Sequence, residues 1–145
     1  MSIIRGIKTL PLRMEQHQKN AFTIAKWLQK QPRVQYVLYP GLENHPGYEI
    51  NKAQTTGFGG MISFAVANSE TALQILEGVK LIKFAESLGG TESLITYPIR
   101  QTHIDLTAEE CAEKGITDCL LRFSTGIEAT QDLIDDLAQA FTAVE

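Results

Sequence analysis

The residues best suited to chemistry lie between positions 84 and 103, in the segment FAESLGGTESLITYPIRQTH. Glu86 and Ser87 are followed by two glycines and by further hydroxyl and carboxyl groups, directly after an apolar run. The backbone N–H groups and hydroxyls of residues 87–93 could bind an anion, because glycine lets the main chain approach a ligand closely. The alternative is a turn held by several side-chain caps, which the residue types alone favour slightly.

Arg122 is the second candidate, and it stands within the apolar segment LLRFS, which predicts a β-strand. Side chains alternate between the two faces of a strand, so Leu121 and Phe123 share the face opposite to Arg122. A buried arginine needs an anionic partner, whereas an exposed arginine does not. The functional interpretation is a guanidinium that binds a carboxylate through two parallel hydrogen bonds. The pattern alone favours an exposed side chain.

The other chemically capable side chains form weaker patterns. His17 lies on the apolar face of a predicted helix, so we expect a core histidine rather than a ligand. His103 and Asp105 could contribute to a metal site, but no third ligand stands at a recognisable spacing. Cys111 and Cys119 lie eight residues apart without a CxxC motif, so we expect no metal site and a structural or incidental role for both.

The elements that position these residues follow from periodicity and turn signals. Apolar periodicity and caps predict helices at residues 10–31, 70–79, 107–115 and 131–144. Runs rich in β-branched and aromatic residues predict strands at residues 34–39, 57–66, 81–87 and 119–127. These strands lack regular βαβ spacing, so the predicted fold class is α+β, with helices packed on a largely antiparallel sheet.

Two of the predicted helices carry recognisable N-terminal caps. Asn68 or Ser69 would cap the second helix. Thr107, followed by Glu110 three residues later, forms a capping-box pattern for the third helix. These caps fix the start of each helix more firmly than the apolar pattern does.

The first predicted helix carries an apolar face that includes Leu10 and Met14. We expect this face to pack in the core. The alternative is that Leu10, Met14, Phe22 and Trp27 belong in part to an interaction surface.

Length and composition limit the classes of function. The chain has 145 residues, a length typical of one domain, and 43% of them are hydrophobic. Thirteen basic and seventeen acidic side chains give a formal charge of −4 without a basic cluster, so we expect no nucleic-acid partner. The apolar runs are too short to span a membrane, and the first residues lack a signal-peptide pattern. A cytoplasmic location is therefore the expectation.

Four motifs occur in order along nearly the whole chain. They are RGIKTLPLRMEQHQKNA, GFGGMISF, AESLGGTESLITYP…TH and LLRFSTGIEATQDLIDDLAQAF. Together they resemble the C-terminal part of the pyridoxal-phosphate-dependent enzymes of cysteine and methionine metabolism, and most closely the cystathionine γ-synthase-like members. The resemblance implies that residues 1–145 form a single C-terminal substrate-binding domain. Its fold would be the small domain of an aspartate-aminotransferase-like enzyme, a mostly antiparallel sheet flanked by helices.

The resemblance also implies roles for four residues. Arg122 matches the arginine that binds the α-carboxylate of the substrate. Ser87 matches the serine that lies close to the catalytic lysine and the substrate, and Leu88 would offer its backbone N–H to the same carboxylate. Glu86 matches an acidic position that the γ-synthase and γ-lyase branches associate with the far end of the larger substrate.

The resemblance implies, finally, what other residues must supply. In the family, the lysine that bonds to pyridoxal 5′-phosphate and the residues that hold the cofactor belong to a larger, preceding domain. None of the eight lysines here lies in the cofactor-lysine motif, so the expectation is no catalytic and no cofactor-binding residue. The chain alone is predicted to be inactive.

In the intact enzyme, the expected reaction is γ-replacement on an O-acylhomoserine with cysteine, which yields cystathionine, in a homo-oligomer. A cystathionine β-lyase or γ-lyase is an alternative from the same family. An alternative of another class is a non-catalytic fragment that serves in oligomerisation or interaction.

Overall fold

A computed structural model of the chain describes residues 2–101 and 105–142, except the side chains of Ser2 and Ala108. The α-helices are α1 (Ser2–Lys8), α2 (Leu10–Leu28), α3 (Tyr48–Gln54), α4 (Ser69–Gly78), α5 (Ala108–Glu113) and α6 (Thr130–Thr142). The strands are β1 (Val34–Leu38), β2 (Met61–Val66), β3 (Lys83–Phe84), β4 (Leu94–Thr96) and β5 (Leu120–Ser124). A short 3-10 helix covers Pro98–Arg100.

The five strands form one sheet in the order β1-β2-β5-β4-β3. β1 pairs with β2, β2 with β5 and β5 with β4, all antiparallel, whereas β3 and β4 run parallel. The predicted α+β class with a mostly antiparallel sheet is therefore confirmed. The central strand of the sheet is β5, which carries the candidate arginine.

The predicted elements are present, but three others were missed. Helices α1 and α3 and strand β4 had no counterpart in the prediction, and the third predicted strand is only the two residues of β3. No residue of α3 is buried, and all three residues of β4 are buried. Neither arrangement produces the alternation of apolar and polar residues from which an element is recognised.

The core lies between one face of the sheet and helices α2, α4 and α6. Its largest fully buried side chains come from the sheet, the three helices and their connections: Ile24, Leu28, Tyr39, Ile62, Phe64, Ile75, Ile82, Ile95, Tyr97, Leu121, Phe123 and Leu133. Trp27 of α2 packs edge-on against Phe141 of α6, with ring centroids 5.8 Å apart. This packing joins the first long helix to the last one.

The buried face of α2 begins later than predicted. The first buried residue of this helix is His17, and Leu10 and Met14 are each 42% exposed. The expectation that Leu10 and Met14 pack in the core is therefore wrong. The first turns of α2 carry no buried residue, so the apolar pattern there leaves a face that this chain does not cover.

The predicted caps are present where helices begin. The Asn68 side chain accepts a hydrogen bond from the Thr71 N–H at 2.8 Å, so Asn68 rather than Ser69 caps α4. Thr107 and Glu110 form the reciprocal capping box of α5. Two contacts lower the pKa of the Glu110 carboxyl below its usual range. The hydrogen bond from the Thr107 backbone N–H contributes most, and the contact with the Thr107 hydroxyl comes second.

Asp136 of α6 fixes the connection between α4 and β3. Its carboxylate is 7% exposed and accepts backbone hydrogen bonds from Lys80 at 2.8 Å and from Leu81 and Ile82 at 2.9 Å each. A buried carboxylate is tolerated when several N–H donors surround it. The start of β3 is therefore held to α6 by one side chain.

We expect Asp136→Asn to lower the free energy of unfolding by about 2–3 kcal/mol, because the amide keeps one acceptor oxygen and turns a donor towards backbone donors. Asp135→Asn, an exposed neighbour on the same helix, is the matched control and should change stability by less than about 0.5 kcal/mol. Urea denaturation followed by circular dichroism measures both. Equal stability of the two variants would contradict the anchoring role.

Candidate functional site

Arg122 lies at the centre of β5, opposite Ser63 of β2 and Thr96 of β4. Leu121 and Phe123 are fully buried on the core face, whereas Arg122 is half-buried on the opposite face. The alternation predicted from the sequence is therefore confirmed. The arginine is neither fully exposed nor part of the core.

Residues 85–93 connect β3 to β4, and we call them the site loop. Because β3 and β4 run parallel, the site loop must return from the end of one strand to the start of the next. In β5, Arg122 lies opposite Thr96, and Ser124 lies opposite Leu94. The site loop therefore begins near Arg122 and ends near Ser124.

The start of the site loop is held by side chains of β5 and β4. Arg122 Nη2 donates a hydrogen bond to the carbonyl oxygen of Glu86 at 3.0 Å and reaches Thr96 Oγ1 at 3.5 Å. Thr96 Oγ1 in turn donates to the carbonyl oxygen of Ala85 at 2.8 Å. The arginine is thus part of the structure that shapes the loop beside it.

The middle of the site loop is held by Ser124. The Gly89 N–H donates to Ser124 Oγ at 3.0 Å, and Ser124 shares the face of β5 that carries Arg122. Gly89 has a φ of 72°, in the left-handed region that glycine adopts at no steric cost. The turn at this position therefore explains one glycine of the motif.

Arg122 has an N–H donor, at Nε, to which no neighbouring acceptor among the described residues is hydrogen-bonded. Its Nε atom is buried and has no hydrogen-bond acceptor among the described residues. Its two acceptors, from Glu86 and Thr96, are neutral oxygens, so they do not balance the guanidinium charge. Leaving a buried charged donor without an acceptor costs free energy. The planar fork of donors matches a carboxylate, which would supply two acceptor oxygens and a negative charge.

The other three predicted site residues lie in the site loop next to Arg122. Glu86, Ser87 and Leu88 are all exposed, and the Leu88 side chain is 54% exposed. The contact between Glu86 and Arg122 is made by the main-chain carbonyl, so the Glu86 carboxylate is available for another charge. The structure thus brings all four residues to one side of the sheet, and their ligand contacts stay predictions.

The site loop returns to the sheet at Ser93, and we call this its return end. Glu128, which follows β5, holds the return end in place. Glu128 Oε1 accepts a hydrogen bond from the Ser93 N–H at 2.6 Å, and Oε2 accepts one from Ser93 Oγ at 2.9 Å. Ser93 Oγ also accepts a hydrogen bond from the Gly126 N–H at 2.7 Å. A fully buried serine therefore has both its donors and its hydroxyl acceptor satisfied.

A fully buried asparagine of α2 supports this end of the site. Asn20 Nδ2 donates to the carbonyl oxygens of Gly126 and Glu128, each at 2.9 Å. Asn20 Oδ1 accepts a hydrogen bond from Thr130 Oγ1 at 2.6 Å. The connection between β5 and α6 is thereby fixed to the first long helix.

The weaker candidates do not assemble a second site. In the described ranges, no group of His, Cys, Asp and Glu side chains is arranged to hold a metal ion. His103 lies outside those ranges, Asp105 is exposed, and Cys111 is buried in α5. His17 is buried as predicted, with Nδ1 at the Thr125 carbonyl oxygen.

None of the eight lysines, all of which the structure describes, is desolvated. All eight are exposed, and Lys83 Nζ, on the strand that leads into the site loop, donates to the carbonyl oxygen of Lys80 at 2.8 Å. A lysine that bonds to a buried cofactor is typically desolvated. The residues present fit a carboxylate and do not fit the attachment point of pyridoxal phosphate.

The sequence analysis included Ser93 in the segment 87–93 that could bind an anion, and it missed three other residues of the site. Ser124 could have been found, since it lies two residues after Arg122 and must share its face. Thr96 and Glu128 gave no comparable signal, because β4 was not predicted and the contacts of Glu128 with Ser93 span 35 residues. Long-range polar pairs of this kind leave no periodic trace in a sequence.

We expect Gly126→Ala to destabilise the chain by about 1–3 kcal/mol, because a Cβ there would clash with the Thr91 carbonyl oxygen and lie 2.6 Å from the Glu92 carbonyl carbon. Gly6→Ala is the control: nothing lies within 4 Å of its Cβ position in α1, so it should be neutral or slightly stabilising. Thermal unfolding of both variants measures the difference. A Gly126→Ala variant as stable as the parent would show that the site loop does not pack as described.

Among the described residues, no helix has the length and hydropathy that crossing a membrane requires.

Comparison with known protein families matches residues 1–142 to the family described as Cys/Met metabolism PLP-dependent enzyme. A cystathionine γ-lyase of Dictyostelium discoideum is 52% identical over 138 residues, which cover 94% of this chain and 36% of that protein. A cystathionine γ-synthase of Haemophilus influenzae is 51% identical and matches 95% of this chain and 33% of that protein.

The fold is shared with a solved member of the same family. A cystathionine γ-synthase from Xanthomonas oryzae pv. oryzae superposes with a TM-score of 0.92 at 42% identity, over 96% of this chain and 36% of that one. The chain therefore spans about a third of the length of the relatives that it matches. From the family match over nearly all its residues, this chain belongs to the PLP-dependent enzymes of cysteine and methionine metabolism.

Proposed function

We propose that this chain supplies the α-carboxylate site of a PLP-dependent trans-sulfuration enzyme. The reaction that we favour is γ-replacement on an O-acylhomoserine with cysteine, as in a cystathionine γ-synthase. The observation that carries the proposal is the buried Arg122 Nε, which has no acceptor among the described residues while Nη2 holds the site loop. An amino-acid carboxylate is the acceptor that this fork fits best.

The proposed contribution of Arg122 is to bind and orient the substrate. Two parallel hydrogen bonds from a planar guanidinium fix the position of the carboxylate and restrict rotation of the attached Cα. Holding a reacting bond in one orientation removes entropy cost from the chemical step. Pyridoxal phosphate, when bound, would supply the electron sink that the reaction at Cα needs. The residues that hold it would lie outside this chain.

The proposed contribution of the site loop is recognition. Ser87 and the Leu88 N–H lie next in sequence to the Glu86 carbonyl that Arg122 binds, so they can offer further donors near the same carboxylate. The exposed Glu86 carboxylate suits a positively charged group at the far end of a substrate such as cystathionine. The solved Xanthomonas oryzae enzyme was obtained in one complex with aminoacrylate and cysteine and in another with cystathionine, which agrees with this substrate class.

A cystathionine lyase activity is the second candidate within the family. A γ-lyase and a γ-synthase match this chain at 52% and 51% identity, and a β-lyase of Lactococcus lactis matches at 48%. Identities this close do not rank the reactions. Product analysis of an intact enzyme with cysteine and an O-acylhomoserine, and separately with cystathionine, distinguishes replacement from elimination.

An interaction role is the candidate from another class, and exposed apolar side chains favour it. Ile3, Ile4 and Ile7 of α1 are 77%, 67% and 59% exposed, and Leu12 of α2 is 68% exposed. A surface of this kind calls for a covering partner. We propose that this apolar surface packs against the other parts of a homo-oligomeric cytoplasmic enzyme. Light scattering on the isolated chain that shows one sharp monomer would count against self-association.

We expect Arg122→Lys to raise KM for the amino-acid substrate by about 10- to 100-fold, since an ammonium cannot reproduce the planar fork. The measurement uses an enzyme completed by putting this chain in place of the matching segment of the Bacillus subtilis cystathionine γ-lyase. That segment is 51% identical to this chain over 138 residues. Arg100→Lys is the matched control, because Arg100 is exposed and lies over the Tyr97 ring, 5.9 Å from its centroid. An unchanged KM for Arg122→Lys would exclude the carboxylate role.

We expect the isolated chain to form no stoichiometric, site-selective adduct with pyridoxal phosphate, because all eight of its lysines are exposed. The test is a titration followed by absorbance, borohydride reduction and mass spectrometry of the labelled lysines. Scattered, substoichiometric labelling is the predicted result. A single fully labelled lysine would mean that the chain builds its own cofactor site.

A further inference from the structure

We propose that Glu128 is a positioning residue for the carboxylate site: by fixing the return end of the site loop it sets the position of the Arg122 guanidinium. The proposal rests on the proposed function of Arg122, and it assigns no contact between Glu128 and the substrate. It concerns a carboxylate that lies beyond the end of β5, four residues after Ser124.

The contact is made by both oxygens of one carboxylate. Glu128 accepts from the Ser93 N–H at 2.6 Å and from the Ser93 hydroxyl at 2.9 Å, and Ser93 is fully buried. Two donors of a single residue therefore converge on one ionised side chain. Charge-assisted hydrogen bonds of this type are stronger than those between neutral groups. A glutamine at this position would offer one acceptor oxygen instead of two.

Three side chains hold the site loop in the order in which they follow one another along the chain. Arg122 binds the carbonyl of Glu86, Ser124 accepts from the Gly89 N–H, and Glu128 accepts from Ser93. The first two lie on one face of β5, and Glu128 follows four residues after Ser124. The loop residues 86, 89 and 93 are thus held at three successive points.

The site loop depends on these points because it has little structure of its own. Backbone hydrogen bonds to the rest of the fold occur near its two ends, where the Ala85 N–H donates to Ile95 and the Ile127 N–H donates to Thr91. Residues 86–90 between them belong to no helix or strand. Fixing each such residue costs backbone entropy, so releasing one end allows the neighbouring residues to move as well.

Arg122 should respond to that movement because it is bound to the loop. Its Nη2 donates to the Glu86 carbonyl, and its Nε is buried without an acceptor among the described residues. When the carbonyl shifts, the guanidinium plane turns with it. A bidentate interaction with a carboxylate depends on that plane, so a distant release at Ser93 lowers the fraction of molecules that can bind correctly.

Glu128 itself is held firmly enough to act as a fixed point. Its carbonyl oxygen accepts a hydrogen bond from the fully buried Asn20 of α2 at 2.9 Å, and the same Asn20 side chain holds the Gly126 carbonyl. The backbone of Glu128 is therefore anchored to α2, in the helical layer on which the sheet packs.

The first test measures amide exchange and the Arg122 Nε–H resonance of the 145-residue chain by NMR. In Glu128→Gln we expect the Ser93, Gly126 and Gly89 amides and the Arg122 Nε–H to exchange with solvent about tenfold faster or more. Amides of α4 should keep their protection, which excludes global unfolding. Ser93→Ala removes the hydroxyl, so it should release the Gly126 N–H at least as much, but it should accelerate exchange at Gly89 and at the Arg122 Nε–H less than Glu128→Gln does.

Glu92→Gln is the matched control, because Glu92 is an exposed carboxylate of the same loop whose contact is to the Thr91 hydroxyl at 3.2 Å. It should leave all these exchange rates unchanged. If Glu128→Gln accelerates Ser93 alone and leaves the Arg122 Nε–H as in the parent, the residue is structural and the positioning role is wrong. Unchanged exchange at every site would overturn the proposal as well.

The second test separates this inference from the proposed function. In the completed enzyme, Glu128→Gln should raise KM for the amino acid about tenfold and change kcat less than threefold, and Glu128→Asp should recover part of the loss. If Arg122→Lys raises KM but Glu128→Gln does not, the positioning role fails and the carboxylate site stands. If neither variant changes KM, the carboxylate site itself fails.

Discussion

A guanidinium in the middle of a β-sheet must find acceptors, and most of the site follows from that requirement. Arg122 lies between two fully buried neighbours on the central strand, so water reaches only one side of it. The Glu86 carbonyl and the Thr96 hydroxyl satisfy one nitrogen and leave Nε without an acceptor. An incompletely satisfied buried donor costs free energy, and a carboxylate ligand would recover it. The cost in the free protein is the origin of the specificity that we propose.

The parallel pairing of β3 and β4 imposes a second constraint, on the path of the site loop. A parallel pair needs a connection that returns along the sheet, and here residues 85–93 make that return without a helix. The loop therefore lies beside β5, where side chains of that strand can bind its backbone. Order in this segment comes from side-chain contacts at separate points, which makes its geometry sensitive to single substitutions.

The helical layer holds the segment that leads to the site loop and the segment that follows the strand of Arg122. Asp136 of α6 holds the segment before β3, and Asn20 of α2 holds the segment after β5. Each is a buried polar side chain whose hydrogen bonds are made to backbone groups, an arrangement that costs little only when every partner is present. α1 and the start of α2, by contrast, leave apolar side chains exposed.

Local sequence determined the features that depend on neighbours in the chain. The alternation around Arg122, the Asn68 and Thr107 caps and the helices with an apolar face each follow from spacing of a few residues, and all are present. The four-motif resemblance fixed the family and named Glu86, Ser87, Leu88 and Arg122. Only the tertiary structure showed that α2 is uncovered at Leu10 and Met14, and that Glu128 binds Ser93. Those facts depend on which distant segments meet, and a hydrogen bond or a covered surface between residues far apart in the chain imposes no local periodicity.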